Sequence, residues 1–187
     1  MQQHPLPSLD SALAELGPSA RPLKPLQPSY LDPRDWRPAG AHPPAGWPAL
    51  RARVLERDGT ACVYCGQGES ADRRARLEVN HLNGYRDNRF EMLETVCVLC
   101  HRVLHGGRSA AIYGSLVLFR HALCDQNTLI RLCWFLRTTR NLPDRPLMEL
   151  LGLREQAPFR MDRDYLARLR GYVVERFWLL ERRGTFD

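Results

Sequence analysis

Apolar positions change their rhythm along this chain, and each rhythm predicts an element. Leu9 to Leu16 form a short amphipathic stretch that predicts one or two helical turns. Around it, residues 1–46 show no sustained period. From Trp47 the pattern turns helical: Pro48 suits a first turn, Leu50, Val54 and Leu55 form an apolar stripe, and Arg51, Arg53 and Arg57 point outward. Asp58-Gly59 stops that helix. Leu77 and Val79 alternate with polar neighbours in a short strand that ends at His81. Asn83-Gly84 and Asp87-Asn88 mark a loop, and residues 93–96 read as a second strand. Residues 100–105 begin a short helix that Gly106-Gly107 ends. Beyond it, residues 115–119 predict a strand. Asp125 or Asn127 caps a helix whose face carries Leu129, Ile130, Cys133, Phe135 and Leu136. A further helix spans 146–153. A longer one opens at Asp162 or Asp164 and carries Leu166, Leu169, Val173, Phe177 and Leu180.

Composition sharpens the division. Eleven of the fourteen prolines lie at or before Pro48, so residues 1–46 cannot sustain a long helix or a central strand. They read as a Pro-rich, mostly extended arm, a flexible tail with local packing, whose Tyr30 and Trp36 are points for docking on the fold or on a partner. The formal net charge of +6 permits nucleic-acid contact without requiring it. Lys24 is the only lysine, and an arginine bias of that kind follows genome composition as readily as phosphate binding. No apolar run reaches transmembrane length and no cationic, apolar leader opens the sequence, so a soluble, reducing, cytoplasmic setting is expected.

Six cysteines are present, and four of them form two Cys-x-x-Cys pairs: Cys62 with Cys65, and Cys97 with Cys100. Two such short loops aim four thiolates at one tetrahedral ion, so a structural zinc is expected, the alternative being ordinary buried thiols. Cys124 and Cys133 sit among apolar residues and read as core. Between the pairs lies Glu78-Val79-Asn80-His81. His101 and His105 follow the second pair, four apart and therefore on one helix face.

This layout, from Trp47 to His105, resembles the HNH nucleases. The resemblance implies an α+β fold: a small zinc-stabilised ββα-metal module at 47–108, followed by an α-rich extension at 109–187. It also implies a DNA endonuclease in which His81 is the general base. Asn80, His101 and His105 would hold a catalytic Mg²⁺, Mn²⁺ or Ni²⁺, with His81 facing the helix that bears the other two histidines. Two positions depart from the pattern. Asn80 stands where an Asp or His is usual, and a neutral amide is a poorer ligand for a hard cation. Met92 stands where the central Asn belongs, and Asn88 is the nearby candidate to replace it. A looser similarity, in the order of arm, four-cysteine module and apolar tail, is to the IcmJ/DotN family of type IVB secretion coupling complexes. That similarity implies a non-catalytic zinc adaptor with protein partners at 109–187 and at the arm. Asn80, Met92 and the tail tilt the sequence toward the adaptor, but the three histidines tilt it toward the nuclease, which is the function expected, with the adaptor as the alternative. A simple nucleic-acid-binding zinc module is disfavoured, since no dense basic stripe with interleaved aromatics appears.

Overall fold

The structure, a computed structural model, describes residues 6–29, 44–68, 76–111 and 113–175. Tyr30, Trp36, Phe177 and Leu180, on which some expectations rest, lie outside the described residues.

Helix α1, Leu9–Leu16, forms where its amphipathic stretch predicts, with the Ser8 side chain accepting from the Ser11 amide and Gly17 closing it at φ +64°. The chain then runs extended to Ser29. It is not a loose tail. Ala12 and Leu26 are fully or almost fully buried, Lys24 N–H donates to Val63 O at 2.9 Å, and Ser29 N–H donates to Val103 O at 3.3 Å. The prolines prevent regular pairing, so this strap fastens itself through single bonds to whatever lies beneath.

Helix α2, Trp47–Arg57, buries Val54 and Leu55. Arg51 and Arg57, expected to point outward, instead reach back and donate to the Leu77 and Leu93 carbonyls at 2.8 and 2.6 Å. Asp58 follows the helix and accepts from the Thr95 amide at 2.7 Å. Burial pushes its carboxyl up, but the Arg57 and Thr95 hydrogen bonds outweigh burial and hold it below its ordinary value.

Strand β1, Leu77–His81, pairs antiparallel with β2, Leu93–Cys97, with Leu77 opposite Cys97 and His81 opposite Leu93. A short 3-10 turn, Phe90–Met92, leads into β2. Helix α3, Val98–Leu104, begins directly at the strand end. The glycine pair does not stop helix there: α4, Gly106–Ala111, resumes after a one-residue break at His105. Gly106 is needed for close approach, since a Cβ there would sit 3.1 Å from the Ser29 carbonyl oxygen.

Among the described residues of the C-terminal extension, a three-stranded sheet accompanies the helices. Strand β3, Leu116–His121, lies between β4, Arg154–Ala157, and β5, Arg170–Val173, in an antiparallel sheet of order β4-β3-β5. Against it lie α5, Gln126–Arg140, capped by Asp125, and the shorter α6, Asp144–Leu150. The long helix expected after Asp162 ends after five residues, as α7, Arg163–Ala167. Leu166, Leu169 and Val173 have helical spacing, but Tyr172-Val173-Val174, aromatic and β-branched, favours a strand. A Cβ at Gly171 would come within 3.2 Å of Leu116 Cδ1, so only glycine lets β5 pack this closely.

The whole is mixed α and β, with two small antiparallel sheets over one buried cluster that runs from Ala12 and Leu26 through Leu77 and Val96 to Leu136 and Tyr172. Among the described residues no helix is long and apolar enough to cross a membrane.

Candidate metal centre and its neighbouring histidines

Each cysteine pair sits on a turn that its neighbours enforce. At the first, Cys62 N–H donates to Gln67 O, Gly66 N–H returns to Cys62 O, and Gly66 takes φ +75°. The second is built from a strand end and a helix start: Cys97 caps α3, its sulfur accepting from the Cys100 amide at 3.5 Å. The hairpin register places the two turns side by side, because Val63 N–H bonds to Thr95 O.

The result is a cluster of Cys62, Cys65, Cys97 and Cys100, all buried, whose sulfurs lie within 4.8 Å of one another. Cys65 Sγ and Cys97 Sγ are 3.6 Å apart. A tetrahedral zinc with Zn–S bonds of about 2.3 Å separates its sulfurs by about 3.8 Å, so the spacing fits one ion. A disulfide needs about 2.05 Å and does not fit. Burial would push Cys62 up, but hydrogen bonds from Cys100, Cys65 and Cys97 outweigh it and hold the thiol far below its ordinary value. Cys100 is pushed up by burial and by the same neighbours. Four sulfurs so close set thiolate against thiol, and a bound cation relieves that conflict. The indole N–H of Trp134, on α5, donates to Cys97 Sγ at 3.5 Å, an outer contact suited to a metal-bound thiolate.

The histidines have different partners. Side chains alternate along a strand, so Glu78 and Asn80 share one face of β1 and His81 takes the other. On the first face Glu78 Oε2 meets His101 Nδ1 at 2.5 Å, and His105 packs edge-on to His101 with ring centroids 4.6 Å apart. Burial pushes the Glu78 carboxyl up, but the hydrogen bond and charge of His101, with Arg102 and Arg76, hold it at about 2. His81 leaves on the opposite face. Its ring stacks on Trp47 at 5.5 Å and 8°, and Nε2 lies 3.0 Å from Asn88 Oδ1. His81 is thus held by Trp47 and Asn88, while His101 and His105 are engaged with Glu78 and with each other.

Asn80 is buried, and its Nδ2 donates to Glu94 Oε1 at 2.9 Å. Glu94 is 1% exposed and also accepts from the Tyr64 hydroxyl at 2.7 Å and from Lys24 Nζ at 2.9 Å. Burial and the Glu94 carboxylate push the Tyr64 phenol up, so it stays a donor. Met92 takes no part in this network through its side chain. Its backbone closes the loop, Leu82 N–H donating to Met92 O at 2.9 Å. Among the described residues, the four cysteines are the only cluster of three or more His, Cys, Asp or Glu side chains within metal-binding reach.

Sequence reasoning missed Glu78, Glu94, Tyr64, Trp134 and Trp47. The acids carried the only signal: Glu78 and Glu94 stand inside predicted strands beside apolar residues, where a charge needs a partner. No family model matches the chain, and no curated protein matches it.

Proposed function

We propose that this chain is a zinc-organised adaptor: an HNH-like ββα module, held together by zinc on Cys62, Cys65, Cys97 and Cys100, that serves as a protein-binding scaffold and not as a nuclease. One observation carries the reading. On the face that bears His101 and His105, both carboxylates are already engaged, Glu78 by His101 and Glu94 by Asn80, Tyr64 and Lys24. A hard divalent cation takes oxygen ligands, carboxylates above all, and Asn80 offers only a neutral amide whose nitrogen is tied to Glu94. The zinc supplies fold stability here, not Lewis-acid chemistry, because four protein ligands close its shell. The extension at 109–187 and the arm are the proposed surfaces for protein partners.

A second reading rests on a specific observation. Trp47 and Asn88 fix the His81 ring at the strand end, as an oriented general base requires, and Asn88 supplies the amide that Met92 lacks. The test separates the two. Purified, zinc-loaded protein is incubated with supercoiled DNA in Mg²⁺, Mn²⁺ or Ni²⁺, and 109–187 is used as bait within the full chain. The adaptor reading expects no nicking and a stoichiometric protein partner. Nicking that His81→Ala and Asn88→Ala abolish, with zinc retained, would establish the nuclease instead.

A further inference from the structure

Three of the four zinc-site cysteines are fully buried, while Cys65 keeps 6% exposure. That exposure opens on a cavity of about 260 Å³ between the first cysteine turn and α5. Cys65, Gly66 and Trp134 line it from inside, and Pro18, Ser19 and Ala20 of the strap line it from the N-terminal side. The strap also holds the turn itself. Lys24 N–H donates to Val63 O, Ser19 Oγ sits 3.3 Å from where a Gly66 Cβ would lie, and Arg21 Nη1 donates to Asp58 O at 2.6 Å.

Asn127 joins these parts. Its Oδ1 accepts from Leu26 N–H at 3.0 Å, and its Nδ2 donates to Lys24 O at 2.7 Å and to Tyr64 O at 2.6 Å. One side chain thus binds the strap on both sides of Pro25 and ties it to the residue beside Cys65. At its far end the strap bonds to Val103 and Leu104, the end of α3, the helix that carries Cys100.

We propose that residues 17–29 form a strap that gates the zinc: the ion leaves through the cavity at Cys65, and it leaves only when the strap lifts from the first cysteine turn. Lys24 and Ser19 of the strap meet residues 62–66 directly and Arg21 holds the chain just before them, so lifting the strap frees the turn that presents Cys62 and Cys65. Coupling of this kind is reciprocal, so bound zinc also tightens the strap.

The experiment follows zinc transfer from the full-length, zinc-loaded protein to excess chromophoric chelator. Asn127→Ala and Arg21→Ala remove strap contacts, and Asp144→Asn loosens the Arg137–Asp144–Tyr172 network, which shares α5 with the cavity but holds no strap residue, as a control. Strap variants should bind one zinc yet release it faster, by roughly tenfold or more for Asn127→Ala from the bonds lost. Release from Asp144→Asn should match wild type. Hydrogen exchange at the Lys24 and Leu26 amides of wild-type protein should slow when zinc binds, a readout that needs no variant to fold. Unchanged release in both strap variants, equal acceleration by Asp144→Asn, or strap exchange indifferent to zinc would each overturn the proposal.

Discussion

Glu94 shows how much one side chain can organise. A buried carboxylate is tolerable only with partners, and this one has the Tyr64 hydroxyl, the Asn80 amide and the Lys24 ammonium. Glu94→Ala should therefore strip three donors at once and destabilise the chain by about 3 kcal/mol, measured by denaturant titration of zinc-loaded protein. Tyr64→Phe removes one donor and should cost about 1 kcal/mol by the same measurement. Cysteine reactivity tests the other residue-scale contrast. Burial pushes the Cys133 thiol up to about 12 and Cys124 up to about 11, and both are ordinary thiols beside the zinc set. At pH 8 each is almost wholly protonated, because a raised thiol pKa leaves thiolate only above that value. Zinc-loaded protein should then give almost no rapid thiol signal, and all six cysteines should react after chelation in denaturant. Rapid labelling of Cys62 or Cys100 before chelation would contradict a closed zinc shell.

At the scale of elements, two neighbouring amides stand in for strands. Gln126 donates to Gly171 O at 2.8 Å and accepts from Gly171 N–H at 2.6 Å, so one side chain completes the edge of β5. Asn127 does the same for the strap. Gln126→Ala should leave both Gly171 groups unpaired and lower stability by about 2 kcal/mol, and Gln126→Glu should do at least as much because it cannot donate. Thermal unfolding checks both. These amides also mark what the sequence could convey. Helices α1, α2 and α5, the β1–β2 hairpin and the cysteine cluster were legible, because local period, caps and short Cys spacing specify them. The extension was not. Leu166, Leu169 and Val173 fit a helix stripe as well as a strand after a turn, and the strand is fixed by pairing with β3, far away in sequence. The strap was read as a tail because its anchors, Asn127, Glu94 and Arg131, lie far away in sequence. The candidate site was half legible for the same reason: spacing assembles four sulfurs, whereas the partners of Asn80 and His81 depend on strand parity and on Trp47.

For the whole molecule, the four-cysteine centre is where the arm, the hairpin and α5 meet, through Lys24, Thr95 and Trp134. Removing the ion should loosen all of them together. Elemental analysis should find about one zinc per chain, and stripping it should lower the unfolding midpoint by well over 10 °C, since a structural site of this kind contributes directly to folding. Zinc-free protein with an unchanged midpoint would show that the four thiols pack without it. The same crossing point gives the single lysine an unusual standing. Lys24 holds the chain's only side-chain primary amine; its side chain is 54% exposed and its ammonium meets buried Glu94. Amine-directed reagents pass over guanidinium groups. Acylating this protein therefore yields, beyond the terminal amine, one defined product in which a neutral amide replaces the cation at Glu94. Lysine chemistry, usually a scatter of surface modifications, becomes here a single-site titration of how firmly the N-terminal strap is held.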